Sequence, residues 1–223
     1  MMGTGKKSIA ILGGTGKEGK GLAYRWAKAG YPVIIGSRSP ERAREAAQEL
    51  NKKLNSNIIT GQDNPTAVKT ADIVAITVPY AAHRATLETI KPFIRGKLLI
   101  DVTVPLNPPK VTRIQMPPAG SAAQEAREII GEGIEVAAAF QNISYEHLLK
   151  DEQVECDVLV TGTSKEAREM TLELVSAAGL VGWDAGVLEN SVVAEGLTSV
   201  LININKQYGS THAGIKITGI HNK

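Results

Sequence analysis

Gly14, Gly16 and Gly19 stand in G-x-G-x-x-G register, with Thr15, Lys17 and Glu18 filling the intervening places. The run Ile9-Ala10-Ile11-Leu12 before them is short and aliphatic, as in a strand buried on both faces. A helical stretch follows through Lys28. Between a strand and a helix this spacing has a chemical use. One glycine permits a tight turn, the second lets the backbone approach a pyrophosphate, and the third lets the helix pack on the strand. The helix N-terminus adds free N–H groups and a partial positive charge. The context points to a dinucleotide site rather than an ordinary glycine-rich turn.

The second strand, Tyr31 to Gly36, ends in Ser37-Arg38-Ser39-Pro40-Glu41-Arg42. An NAD site usually carries Asp or Glu about 20 residues after the glycines, accepting hydrogen bonds from the ribose hydroxyls. Ser37 and Arg38 occupy that place. A carboxylate there would repel a 2′-phosphate, whereas a guanidinium beside a hydroxyl would bind one through charge-assisted hydrogen bonds. Arg42, one helical turn on, adds a second positive charge. The expected cofactor is NADP(H).

These groups need a scaffold, and the rest of the chain reads as one. After the helix Glu41 to Leu54, Ile58 to Gly61 is expected as a short strand, with a helical turn from Asp63 to Ala71. Asp72 to Pro79 reads as the clearest later strand, Tyr80 to Ile90 as a helix, and Lys97 to Val102 as another buried strand. Alternating strands and helices predict an α/β, Rossmann-type doubly wound parallel sheet. Val78 and Pro79 then either flank the nicotinamide half of a cofactor or only join strand to helix. Five of the ten prolines (Pro105, Pro108, Pro109, Pro117 and Pro118) mark a stiff loop opened by Val104. Ser121-Ala122-Ala123-Gln124 caps a helix to about Ile130. Ile134 to Ala139 is the next strand, and Gln141 and Asn142 leave it where a substrate ring could sit or where they satisfy local backbone. Val154 to Gly162, Ser164 to Ala178 and Leu180 to Asp184 complete a strand–helix–strand unit. Leu188 to Tyr208 is a long helix with a wide apolar face. Residues 1–143 are expected as the nucleotide-binding part. Residues 144–223 are expected as a smaller C-terminal part, with the long helix packed on the first part or on a second subunit.

The 223 residues carry a net charge of only +2, and no basic run with interleaved aromatics suggests nucleic acid. A single cysteine, Cys156, excludes an internal disulfide and suits a reducing cytosol. Met1 to Lys7 is short and polar for a signal peptide, and no apolar run reaches membrane-spanning length. A soluble, cytoplasmic protein is expected. His83, His147, His212 and His221 show no metal-ligand spacing and no carboxylate paired to them in sequence. No metal and no catalytic acid or base is expected. A chain that binds NADP(H) without an acid–base pair suggests direct hydride transfer between two rings held face to face.

Gly13 to Ala23, Gly36-Ser37-Arg38, Thr77-Val78-Pro79 and His212-Ala213-Gly214-Ile215-Lys216-Ile217 together resemble the NADPH-dependent coenzyme F420 reductase family, over nearly the whole chain. The resemblance implies reversible hydride transfer between the nicotinamide C4 and the deazaflavin C5. It places Thr15, Gly16, Lys17 and Glu18 on the pyrophosphate turn and Ser37, Arg38 and Arg42 on the 2′-phosphate. With Gly14, Gly19, Val78, Pro79 and Val104 these make the expected cofactor-binding set. It also implies a deazaflavin over the nicotinamide near Gln141 and Asn142, and a homodimer built with the C-terminal helix. Gln141 is a departure, because many relatives have His there. Two other readings remain: an NADPH-dependent reductase of a flavin, ferric chelate or imine, and a non-catalytic NADP(H) sensor.

Overall fold

The structure, a computed structural model, describes residues 5–220. His221 and the first four residues lie outside them. One eight-stranded sheet runs through the chain in the order β3-β2-β1-β4-β5-β6-β7-β8. Its strands are β1 (Ile9–Leu12), β2 (Val33–Ser37), β3 (Ile59–Asp63), β4 (Ile73–Ile76), β5 (Leu98–Asp101), β6 (Glu135–Ala138), β7 (Asp157–Gly162) and β8 (Val181–Val187). The helices are α1 (Lys17–Lys28), α2 (Pro40–Leu54), α3 (Asn64–Thr70), α4 (Tyr80–Ile90), α5 (Ala122–Ile130), α6 (Tyr145–Leu148), α7 (Lys165–Ala177) and α8 (Ser191–Tyr208).

All four residues of β1 are buried, because helices cover both faces of the sheet. Side chains alternate across a strand, so Ile9 and Ile11 enter one core with Leu22, Trp26 and Leu174. Ala10 and Leu12 enter the other, with Leu87, Ile90 and Ile129. The Trp26 indole also donates to the Leu174 carbonyl at 2.9 Å, tying α1 to α7.

The expected parallel sheet holds from β1 to β6, and β7 departs from it by pairing antiparallel with β6. The linking segment explains this. Residues 139–156 stay at the carboxyl edge of β6 instead of crossing back, so the chain re-enters the sheet from that edge. Arg25 holds the segment there through the carbonyls of His147 and Leu148, each at 2.9 Å, and Lys150 at 2.6 Å. β8 then pairs parallel with β7 through the crossover helix α7.

Several element ends differ from the sequence reading. β4 stops at Ile76, three residues before Pro79, and β3 extends to Asp63. β8 runs on to Val187, and α8 is preceded by a 3₁₀ turn at Leu188–Asn190. After α8 the chain turns back along β7. The Asp157 amide donates to the Ile215 carbonyl at 2.8 Å, and the Ile217 amide donates to the Asp157 carboxylate at 2.8 Å. Among the described residues no helix is long and apolar enough to cross a membrane.

Candidate functional site: a cleft at the carboxyl edge of the sheet

A cleft of about 830 Å³ opens beside the carboxyl ends of β1, β2, β4 and β5. The strand order reverses there, which is where open α/β sheets bind ligands. The glycine turn forms its floor. Gly13 adopts φ +81°, a left-handed conformation that L side chains rarely take. Its amide donates to the Gly36 carbonyl at 3.1 Å, fastening the turn to β2. A Cβ on Gly19 would stand 2.6 Å from Gly14 Cα and 2.8 Å from the Gly13 carbonyl oxygen, so α1 sits directly on the turn. Gly16 precedes α1 in extended conformation, and no side chain caps that helix. The first-turn N–H groups of α1 therefore lack a capping acceptor, as a phosphate cradle requires. This arrangement fits a dinucleotide diphosphate.

Gly16, Thr15, Lys17, Glu18, Ser37, Arg38 and Arg42 all line the cleft. Gly14 and Gly19 lie packed beneath it. Ser37 ends β2, and its hydroxyl accepts from the Ser39 amide at 3.2 Å. Ser39 caps α2 by accepting from the Arg42 amide at 3.3 Å, which sets Arg42 one turn along the same wall. Arg38 and Arg42 enter no ion pair among the described residues, whereas nearby Arg44 approaches Glu41 at 3.7 Å. Two guanidiniums are thus available for an anion at this end. Lys17 is partly engaged already, its ammonium lying 3.1 Å from the Tyr145 hydroxyl and 4.6 Å above that ring.

The opposite wall consists of Thr77, Val78 and Pro79 after β4, and of Val102, Thr103 and Val104 after β5. The Thr77 amide and hydroxyl both donate to the Leu12 carbonyl, at 2.9 and 3.0 Å, which ties the two strand ends together. Gly13, Thr77, Tyr80 and Thr103 also line the cleft, and the sequence reading missed them. The doubled Gly13-Gly14 was the available signal for the first. Glu18 turns one carboxylate oxygen into a place without solvent or a hydrogen-bond partner. Burial pushes its pKa up to about 8, so the side chain is neutral at pH 7.

Gln141 and Asn142 diverge. The Gln141 side chain is buried and donates to the Asp101 carbonyl at 2.9 Å, while the Gln141 main-chain carbonyl accepts from the Thr198 hydroxyl at 2.8 Å. Asn142 faces a separate cavity of about 370 Å³ with His147, Cys156 and His212. Neither lines the main cleft. The Asn142 amide nitrogen is buried without a partner in the described structure.

His83 has no carboxylate partner by sequence spacing, but the fold supplies one. Its Nε2 lies 2.7 Å from the Asp101 carboxylate, and both side chains are fully buried. Its Nδ1 lies 3.7 Å from Glu125. Burial works against a charge on the imidazole, yet Asp101, with Glu125 and Glu195 beyond it, raises its pKa above the ordinary value. A separation of eighteen positions hides this pair in the sequence, and only the β4–α4–β5 unit brings it together.

Comparison with known proteins agrees with this geometry. Residues 8–105 match the family described as NADP oxidoreductase, coenzyme F420-dependent. The chain is 40% identical over 220 residues to an F420-dependent NADP reductase of Methanothermobacter thermautotrophicus, covering 95% of each chain. It is 38% identical to that of Methanocaldococcus jannaschii, covering 95% of this chain and 98% of the relative. A crystal structure from Arthrobacter sp. FB24, described as a candidate F420-dependent NADP reductase, shares the fold with a TM-score of 0.81 at 21% identity. That match covers 95% of this chain and 99% of the other.

Proposed function

The chain belongs to the F420-dependent NADP reductase family, and from that premise we propose that it passes a hydride reversibly between NADP(H) and the deazaflavin coenzyme F420. The observation that carries the NADP half is a single cleft with a glycine cradle and two unpaired arginines at one end. Val78, Pro79, Val102 and Val104 form its more apolar end. Ser37, Arg38 and Arg42 would hold the 2′-phosphate, and the first turn of α1 the diphosphate. Val78, Pro79 and Val104 would flank the nicotinamide, with F420 lying over it at the same end of the cleft. When both are bound, the chemistry supplied is hydride transfer between two rings. The protein's task is to hold them in register and keep water away, which is catalysis by proximity.

Residues 1–143 then serve as the nucleotide-binding part and 144–223 as the part completing the substrate side, although one sheet spans both. A cytoplasmic setting suits both coenzymes. Val193, Val200, Ile204 and Tyr208 are exposed along one stripe of α8. Glu195 and Lys206 are the only charged residues of that helix, and Glu195 is buried. A second copy of the chain covering this stripe gives the homodimer. Val200→Glu is expected to convert the dimer to monomer in sedimentation equilibrium, and a monomeric wild type removes the proposal.

Glu18 makes the cofactor affinity pH-dependent. Below pH 8 its neutral carboxyl leaves the diphosphate unopposed. Above pH 8 the carboxylate faces the phosphates, and NADP(H) affinity falls by up to about tenfold per pH unit. Titration calorimetry between pH 7 and 9 should show this decline in the wild type and its disappearance in Glu18→Gln. Parallel profiles would place the carboxyl away from the phosphates.

The direct test mixes the purified protein with NADPH and oxidised F420, with NADH in parallel, and follows loss of the deazaflavin's visible absorbance. Bleaching with NADPH and little with NADH is expected. NADPH binding without bleaching would discard the F420 reading. Turnover of a flavin, ferric chelate or imine would then indicate another reductase, and tight binding without any turnover a sensor.

A further inference from the structure

The buried group around His83 has no part in the hydride-transfer scheme above, yet it lies directly behind the cleft wall. Asp101 ends β5 and uses every oxygen it has. One carboxylate oxygen faces His83 Nε2 at 2.7 Å, and the other accepts from the Thr103 amide at 2.9 Å. Its main-chain carbonyl accepts from the Gln141 side chain at 2.9 Å and the Ala139 amide at 3.2 Å. One residue therefore fixes both the wall after β5 and the start of the segment after β6.

Charged groups from every neighbouring element face this pair. From α4, Tyr80 donates to Glu125 at 3.0 Å and Arg84 pairs with it at 2.7 Å. From α5, Glu125 stands 3.7 Å from the second ring nitrogen of His83. From α8, the buried Glu195 accepts the Ala122 and Ala123 amides at 2.7 and 3.1 Å. Burial, with Asp101 adding to it, pushes the Glu195 carboxyl up to about 8 against the pull of those amides. His83 is thus the side chain that holds the second carboxylate oxygen of Asp101, because the guanidinium of Arg84 is committed to Glu125. A buried carboxylate left without that hydrogen-bond partner would seek others, at the expense of the Thr103 bond.

We propose that His83 is a positioning residue for hydride transfer: by holding the Asp101 carboxylate on the Thr103 amide it sets the Val102–Val104 wall against which the nicotinamide is placed. The inference rests on the NADP(H)–F420 reading and deepens it. His83 touches neither coenzyme, so its loss acts on alignment rather than on binding. NADP(H) affinity is supplied mainly at the glycine turn and at Arg38.

The test compares His83→Leu with His83→Gln, whose amide can still donate to Asp101. In the cofactor-free protein, hydrogen exchange is followed at Thr103. The Val102 amide, which donates to the Ile76 carbonyl at 3.1 Å, serves as internal reference. In His83→Leu, Thr103 exchange is expected to accelerate about tenfold relative to Val102. In the same variant kcat for F420 reduction falls about tenfold or more while KM for NADPH stays within about threefold. His83→Gln recovers most of both. Equal acceleration at Thr103 and Val102 would mean a merely structural histidine, and an unchanged kcat with a loosened Thr103 would also overturn the proposal. Should His83→Leu not fold, Asp101→Asn replaces the charged acceptor by a neutral one of the same shape, and unchanged Thr103 exchange in it is equally decisive. A wild type that binds NADPH but leaves F420 unreduced sinks the functional reading alone, and the exchange comparison still decides whether His83 holds the wall.

Discussion

Arg38→Ala is expected to weaken NADP(H) binding by about 1.5–3 kcal/mol, the range for a hydrogen bond to a charged group. That corresponds to a rise of about ten- to 150-fold in Kd. Binding of NAD(H) should change little, because the only group that separates the two cofactors is the 2′-phosphate. The geometry supports this selectivity. Arg38 follows the end of β2 directly, lines the cleft, and is not held by any carboxylate among the described residues. Its removal therefore leaves no buried charge unpaired, and folding stability should be close to wild type. Arg42→Ala should act in the same direction and more weakly, since Ser37 and Arg38 remain in place. Calorimetric titration with both cofactors, at one stated salt concentration, reads the difference. Equal losses for NADP(H) and NAD(H) would remove Arg38 from the 2′-phosphate.

The half of the site that carries this prediction was legible because its residues are close in sequence. A strand, a turn and a helix within about twenty residues leave a local signature, and Ser37-Arg38 follows the next strand at a spacing that the fold dictates. The same holds for the capping of α5, where the Gln124 amide does donate to Ser121 at 3.0 Å. What stayed hidden depends on groups that only the tertiary fold brings together. His83 and Asp101 sit on successive elements, and nothing in either segment marks them as partners. Gln141 and Asn142 are adjacent and looked equivalent. On the chain leaving β6 their side chains diverge, one toward the Asp101 carbonyl, the other toward His147 and Cys156. The antiparallel turn of β7 was equally invisible. It results from the Arg25 contacts that keep residues 139–156 at one edge, and those contacts run from a guanidinium to carbonyls more than 120 residues away.

Gly19→Ala should abolish both cofactor affinities and lower stability, in contrast to the selective loss at Arg38. Its methyl group would meet Gly14 Cα at 2.6 Å, Thr77 Oγ1 at 2.7 Å and the Gly13 carbonyl oxygen at 2.8 Å. Two of those atoms are backbone in the turn itself, so no rotamer change relieves the clash, and overpacking of this kind costs about 1–3 kcal/mol. Relief requires α1 to back away from the turn, which carries the first-turn N–H groups off the diphosphate. Losing two such bonds to a charged group predicts at least about a hundredfold weaker binding of NADPH and NADH alike. Gly16→Ala separates the two effects. Its nearest obstacle is the Gly13 carbonyl oxygen at 3.3 Å, its backbone is already in an ordinary extended conformation, and it lines the cleft. That variant should unfold in urea close to the wild-type midpoint and still lose cofactor affinity, because the added methyl occupies the space through which the backbone approaches the phosphates. Full affinity in a stable Gly16→Ala protein would move the diphosphate off the turn. A Gly19→Ala protein that binds like wild type would show that the helix does not need to touch the turn to make the cradle.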